Sequence, residues 1–247
     1  MAILELHHVS KSFGGVRAVD NCSFEVIAGK ITALIGPNGA GKTTVFNLVS
    51  GFFEPDRGRI LFEGKDVTRL PAWRRSRAGL SRTFQLSRLF RNLSVRENLM
   101  LAARYDDDQF WRMVTRPPEE RGHETRIRET MRFVGLRKDL DAIVTDLSYG
   151  EQKLFDLTRA LVNPHTLLIL DEPVAGVNPV IRTQLRDLMR AMRGRGETIL
   201  LIEHDMDFVR SVADHVIVLD QGSVLAEGEP EKILKDRRVL EAYLGTA

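Results

Sequence analysis

"ITALIGPNGAGKTTVFNLVSG", residues 31–51, decides the fold. A strand-sized run leads into a glycine-rich turn, and a helix follows until Gly51 stops it. Within it "GPNGAGKT", residues 36–43, fits the phosphate-loop pattern G-x-x-x-x-G-K-[ST] in the strand-to-helix setting that the pattern needs. The glycines let the backbone wrap a phosphate chain and aim N–H groups at it. Lys42 would reach the β- and γ-phosphates, and Thr43 would ligate Mg²⁺. The alternative is a chance glycine turn before a helix; the flanking strand and helix argue against it.

Working outward, "ILELHHVSKSF" and "SFEVIAG" read as short alternating strands, with "GGVRAV" and "AGK" as turns. "GRILFEGKDVT" looks like a hairpin around Gly64. From about residue 87 to 155 the character becomes helical. "NLSVRENLMLAARY" opens on a Ser94/Glu97 capping box, and "HETRIRETMRFVG" is amphipathic and ends at Gly135. Between them "DDDQFWRMVTRPPEERG" is a polar link. The α/β pattern then resumes. "TLLILDEP" is a continuous apolar strand, as expected when both faces are buried. "NPVIRTQLRDLMRAMRGRG" is a helix capped by Asn178, with Pro179 in its first turn and Gly194 at its end. "ETILLIEHD" and "HVIVLDQGSVLAEG" supply further strands.

The expected fold class is α/β: a phosphate-loop NTPase core with an N-terminal antiparallel β subdomain and an inserted helical subdomain. One domain is expected over residues 1–247. About 1–86 and 156–247 would form the β subdomain and nucleotide-binding core, and about 87–155 the helical subdomain.

Composition bounds the function. The 247 residues suit one large domain or two small ones. A formal net charge of +2 lacks the strong positive field of a nucleic-acid-binding domain. The single cysteine, Cys22, excludes an internal disulfide and fits a reducing compartment. The N-terminus lacks the basic start and long apolar centre of a signal peptide. No apolar run approaches the roughly 18–20 residues needed to span a bilayer. The chain is expected in the cytosol unless another chain brings it to a membrane.

"LLILDEP" adds a second part to the phosphate site. Asp171 at the strand end would hold Mg²⁺, and Glu172 would orient and polarise the attacking water. Two acids ending a strand usually form a solvated turn; the phosphate loop upstream favours the catalytic reading. "LSYGE", residues 147–151, reads as a helix mouth. Ser148 would be the N-cap and Glu151 its capping-box partner, and Gly150 would leave the backbone bare for an anion. Three more positions are ambiguous singly. His204 at a strand end is as readily a core residue as a catalytic one. Gln85 in "RTFQ", taken alone, reads as a loop hydrogen bonder. Phe13 in "KSFGG", taken alone, reads as core, although an aromatic beside glycines can also stack on a base.

Taken together and in this order, these elements resemble the ATP-binding subunit of ABC transporters over essentially the whole chain. The resemblance implies an ATPase and places Phe13 on the adenine. Gly36, Pro37, Asn38, Gly39, Ala40, Gly41, Lys42, Thr43 and Thr44 become the first phosphate motif. Gln85 becomes the glutamine loop, with a role in catalysis and at the metal beside Thr43 and Asp171. "LSYGEQ" becomes the signature, Glu172 the catalytic carboxylate, "VAGVNP" the loop after it and His204 the switch histidine. Ser148 and Gly150 would serve the nucleotide of a second subunit. Three residues depart from the usual pattern: Phe13 for tyrosine, Tyr149 for the first signature glycine, and Asn178 for aspartate.

"GLSRTFQ", "DEPVAGVNP", "LIEHDMDFV" and "LEAYLG" extend the resemblance to the importers of branched-chain amino acids. Relatives serving urea, amide, aromatic-acid and lipopolysaccharide transport share much of this pattern. The implied partners are a second ATPase subunit, identical or related, integral membrane permeases, and indirectly a solute-binding protein outside the membrane. No nucleic acid is implied. The implied location is the cytoplasmic face of the inner membrane. A soluble ABC ATPase acting on ribosomes or DNA would need two fused nucleotide domains or a long coiled-coil insert, and neither is present in the sequence. A phosphate-loop kinase would leave "LSYGE" and His204 unused.

Two stretches carry further expectations. "RLPAWRRSRAGLSR", residues 69–82, is expected to be mainly a solvated face, with a phospholipid-facing patch as the alternative. Leu86, Leu89, Phe90 and Leu93 are expected either to grip a permease helix or to pack the helical insert. His7 and His8 lie in a strand, with no other ligand nearby in sequence for a metal.

Overall fold

The structure, a computed structural model, describes residues 1–83, 89–103 and 120–244. The chain opens with β1 (Ala2–Phe13) and β2 (Val16–Ile27), paired antiparallel with Phe13 opposite Val16. The turn between them is only Gly14–Gly15, both at positive φ (51° and 86°). Such two-residue loops follow the strand twist and need glycine-like conformations. "VRAV", expected in the turn, therefore belongs to β2. A third strand, β3 (Ile31–Ile35), runs into the phosphate loop and α1 (Lys42–Val49). Then β4 (Arg57–Phe62) and β5 (Lys65–Asp66) form the hairpin expected around Gly64. Strands β2-β1-β4-β5 make one antiparallel sheet. Its inner face, with Leu4, Leu6, Phe24, Ile60 and Phe62, packs against Val45, Phe46 and Leu48 of α1. Cys22 lies in this core, and burial pushes its thiol pKa up to about 12.

Two elements in the basic stretch escape sequence patterning: α2 (Ala72–Arg77) and β6 (Leu80–Arg82). One is a six-residue helix with no apolar stripe; the other has only three residues. Here the expectation of a solvated face is corrected. Trp73, Arg74 and Arg77 are exposed, but Arg75 is fully buried. Its Nη1 donates to the Leu48 and Val49 carbonyls at 2.6 and 2.8 Å, and Nε and Nη2 donate to Leu70 and Thr68 carbonyls. A helix leaves its last carbonyls unsatisfied and carries partial negative charge there. Arg75 answers both needs at the end of α1. Burial brings its pKa down to about 10, against the pull of Asp66 and Glu54.

Three helices follow: α3 (Val95–Ala103), α4 (Glu120–Val134) and α5 (Tyr149–Val162). Ser94 and Glu97 form the expected capping box, at 2.7 and 3.2 Å. After α5 come β7 (Leu167–Asp171), α6 (Pro179–Gly194), β8 (Ile199–Ile202), α7 (Met206–Val212), β9 (His215–Asp220) and β10 (Ser223–Gly228). The chain closes with α8 (Pro230–Ile233) and α9 (Arg237–Leu244). The second sheet has the order β10-β9-β3-β8-β7-β6, parallel from β9 to β6, with β10 antiparallel at one edge. All residues of β3, β7 and β8 are buried, as expected for strands covered on both faces. One hydrophobic core runs without a break from α3, α4 and α5 through α6 to Leu168, Leu170, Ile199 and Leu201. Among the described residues no helix is long and apolar enough to cross a membrane.

Candidate functional site

The phosphate loop leaves the carboxyl end of β3, Asp171 ends the neighbouring-but-one strand β7, and His204 follows β8 between them. In parallel sheets this edge is where ligands bind. Gly36, Gly39 and Gly41 all have positive φ. A Cβ at Gly36 would collide with the Leu219 carbonyl, and one at Gly41 with the Ala18 carbonyl of β2. Backbone crowding, not only phosphate access, thus requires glycine at both. Gly41 is also the N-cap of α1 and supplies no capping side chain. That leaves the first-turn amides and the positive helix end to an anion. Lys42 folds over the loop and donates to the Gly36 and Pro37 carbonyls at 2.7 and 2.9 Å. Burial lowers its pKa, and Glu172 opposes this. Asn38 and Thr43 are exposed, Pro37 and Thr44 are partly covered, and Ala40 is buried beneath the loop.

Phe13 sits at the tip of the β1–β2 hairpin and is 41% exposed. It meets Phe53 edge-on at 5.2 Å, and Lys11 Nζ lies 5.5 Å from the ring centre. It is therefore an open aromatic face, not a core residue.

Asp171 is buried, and its Oδ2 accepts from Arg82 Nη2 at 3.1 Å. Burial raises the Asp171 pKa, and Arg82 pulls it back. Arg82 Nη1 also donates to Asn47 Oδ1 and Ser50 Oγ of the α1 region, at 2.9 and 3.0 Å. Sequence reasoning missed Arg82; an arginine in a basic run carries no signal that it turns inward. The two described residues expected to hold a metal, Thr43 and Asp171, lie in the first turn of α1 and at the end of β7. Among the described residues no group of three or more His, Cys, Asp or Glu side chains could hold an ion. Gln85 and Leu86 lie outside the described residues.

Glu172 has a left-handed backbone, φ 47°. Such strain is stored where the surroundings over-determine it. Here its amide donates to Ile202 O at 3.0 Å, and its carbonyl accepts from Ala175 N at 3.2 Å. Lys153 Nζ also donates to that carbonyl, at 3.4 Å. Glu172 Oε1 faces His204 Nδ1 at 3.7 Å, so the structure brings these two expected residues together. Two more carboxylates, both missed in the sequence, organise the same loops. Glu203 is fully buried and accepts from the amides of Val174 and His204, each at 3.1 Å. Asp205 caps α7 through Phe208 N and pairs with Arg182 of α6 at 2.7 Å.

Ser148 is the N-cap of α5, and the full capping box with Glu151 is present. The Tyr149 hydroxyl donates to the Ala175 carbonyl at 3.0 Å. A Cβ on Gly150 would come within 2.9 Å of Ile181 Cγ1. Glycine therefore lets α5 approach α6 of its own chain. The mouth of α5 is tied to the loop after Glu172, and Asn178 in that loop caps α6 through Ile181 N at 3.0 Å.

Comparison with known proteins places the chain in a family. The family model described as ABC transporter matches residues 19–175, and that for the branched-chain amino acid ATP-binding cassette transporter matches residues 223–247. The chain is 38% identical to the probable branched-chain amino acid transport ATP-binding protein LivG of Archaeoglobus fulgidus, over 99% of this chain and 96% of that protein. It is also 38% identical to the high-affinity branched-chain amino acid transport ATP-binding protein BraF of Pseudomonas aeruginosa, over 99% and 98%. Among solved structures, a nucleotide-free ATP-binding cassette from an ABC transporter superposes with a TM-score of 0.87 at 32% identity, covering all of both chains. The ADP conformation of such a cassette gives the same values. With its phosphate loop, strand-end acids and capped signature helix in one full-length frame, this chain belongs to the ABC transporter family, as an ATP-binding subunit whose ATPase activity is coupled to transport.

Proposed function

We propose that the chain powers the import of branched-chain amino acids from the cytoplasmic face of the inner membrane. The observation that carries the substrate class is the full-length similarity to LivG and BraF, together with the match of residues 223–247. The partners in this reading are a second ATPase subunit, membrane permeases, and through them an external solute-binding protein. Exposed Phe90 and half-buried Leu89 and Leu93 would contribute to the permease contact. The domain division is that of the sequence reading, with the helical subdomain over about 87–155.

The roles of the residues follow from their placement. The α1 amides and Lys42 bind the phosphates, with Gly36 to Gly41 shaping the cradle around Asn38. Lys42 exchanges two loop carbonyls for phosphate oxygens as it does so. Thr43 and Asp171, with Gln85, would hold Mg²⁺, which when bound neutralises phosphate charge. Phe13 stacks on the base. Glu172 accepts the proton of the attacking water, and His204 steadies the terminal phosphate. Ser148 and Gly150 present the α5 mouth to the nucleotide of the second subunit, so that each ATP is shared in a two-fold, head-to-tail pair.

Uptake of labelled leucine tests the proposal in cells lacking the chromosomal gene. Wild-type chain restores uptake, and Glu172→Gln, which keeps nucleotide binding, does not. Normal uptake without the gene would overturn the substrate class. Turnover by Glu172→Gln within a few-fold of wild type would overturn the role of Glu172.

A further inference from the structure

We infer that Glu203 is a positioning residue for ATP hydrolysis: its two carboxylate oxygens hold the Glu172 loop and the His204 loop in one fixed relation. Asp171 of β7 and Ile202 of β8 are register partners, so Glu172 and Glu203 leave the sheet side by side. Glu203 Oε1 accepts from Val174 N, two residues beyond Glu172, and Oε2 accepts from His204 N, each at 3.1 Å. A longer contact to Asp205 N, 3.5 Å, adds to the second. No lysine or arginine pairs with Glu203 among the described residues. Its side chain is fully buried, and burial raises its pKa against these amides.

A buried carboxylate without a cation is costly. Here it satisfies loop amides that neither sheet nor helix bonds reach. Those amides belong to the segments that bring Glu172 Oε1 and His204 Nδ1 to 3.7 Å. Glu203 cannot touch substrate, since it has no exposed surface. It acts through the other two: one oxygen holds the turn that keeps Glu172 left-handed, and the other holds the start of the histidine loop. A glutamine of the same shape cannot do both. Its single acceptor oxygen serves one amide, and its NH₂ faces the other donor.

The inference rests on the roles proposed above for Glu172 and His204. The test compares Glu203→Gln, His204→Ala and the double variant in the full chain. Glu203→Gln should lower turnover at least tenfold while ATP affinity, read without hydrolysis, stays within threefold. In the His204→Ala background the same change should cost at least threefold less than in wild type, because one of the two side chains it aligns is gone and only the hold on the Glu172 turn is left to lose. Turnover of Glu203→Gln within twofold of wild type, or a loss carried over in full into the His204→Ala background, would overturn the inference. Should Glu203→Gln not fold, hydrogen exchange in the wild-type chain decides. A Val174 amide protected like those of β8 supports the strut, and one exchanging at an open-loop rate overturns it. Failure of the underlying reading is distinguishable: Glu172→Gln would then keep turnover. Failure of the Glu203 role alone leaves Glu172→Gln inactive and Glu203→Gln active.

Discussion

Arg82 and Asp171, on the edge strand β6 and its neighbour β7, form an ion pair at 3.1 Å with side chains only 8% and 7% exposed. The pair joins the acid proposed to hold the metal to the α1 helix, through Asn47 and Ser50. Breaking it from the arginine side leaves a buried carboxylate without its cation. Arg82→Met should therefore cost about 3 kcal/mol of folding stability. It should also raise the Asp171 pKa further and lower turnover at neutral pH. Denaturant unfolding and a pH–rate profile check both; stability within 0.5 kcal/mol (roughly the scatter of neutral surface changes) would refute the prediction.

Arg75 serves α1 from the opposite end to the phosphate loop. Arg75→Met should cost about 3 kcal/mol, because the buried Leu48 and Val49 carbonyls lose the guanidinium and only Leu48 keeps another donor, the Gly51 amide at 3.2 Å. Arg75→Lys should recover less than half of that. One ammonium cannot copy a planar fork that reaches four carbonyls. Thermal melting of the three proteins ranks them.

Asn178, where the resemblance leads one to expect aspartate, caps α6. Asn178→Ala should lose about 1 kcal/mol. Asn178→Asp should keep the cap and gain about 0.5 kcal/mol from the helix dipole. If aspartate proves destabilising, the asparagine answers a charge constraint and not a capping one.

His165 and Glu197 form a pair at 3.1 Å in which the imidazole is almost wholly covered. Burial pulls the His165 pKa down, but Glu197 and the Asn163 carbonyl outweigh it, and the net direction is up from 6.5. Glu197 moves down from 4.5, mainly through His165. The histidine contribution is complete below its unfolded pKa and is lost as pH rises through the higher folded value. The glutamate contribution is present above its unfolded pKa and is lost as pH falls through the lower folded value. The stability difference between wild type and His165→Gln should peak between about pH 5 and 6.5. A difference that grows steadily from pH 6 to 8 would contradict this sign.

The shared nucleotide site can be tested by mixing. Lys42→Ala should weaken nucleotide binding, since it removes a charge from the phosphates. On a Glu172→Gln background, Lys42→Ala and Ser148→Arg chains are each expected to lose ATP-dependent dimers. A mixed pair keeps one site with an intact loop and an intact signature, so dimers should return in gel filtration. Nucleotide crosslinked to position 148 only within its own chain would refute the arrangement.

What the sequence determined by itself is the set of features whose partners lie within a few residues. The phosphate loop, the Ser148/Glu151 and Ser94/Glu97 boxes, the Asn178 cap and the Gly64 hairpin are all local hydrogen-bond patterns. The continuous apolar runs of β7 and β8 likewise announce burial on both faces. The two-residue turn at Gly14–Gly15 is not legible in the sequence, because the strand pairing that admits "VRAV" is not local. Tertiary structure alone decided which charges go inside. Arg75, Arg82 and Glu203 look like any surface charge until their partners arrive from 26 to 27, 89 and 29 residues away. Tyr149 meets Ala175 across a similar separation of 26 residues. A charged side chain is stable in a core only where distant backbone or counter-charge meets it, and that meeting is a product of the fold.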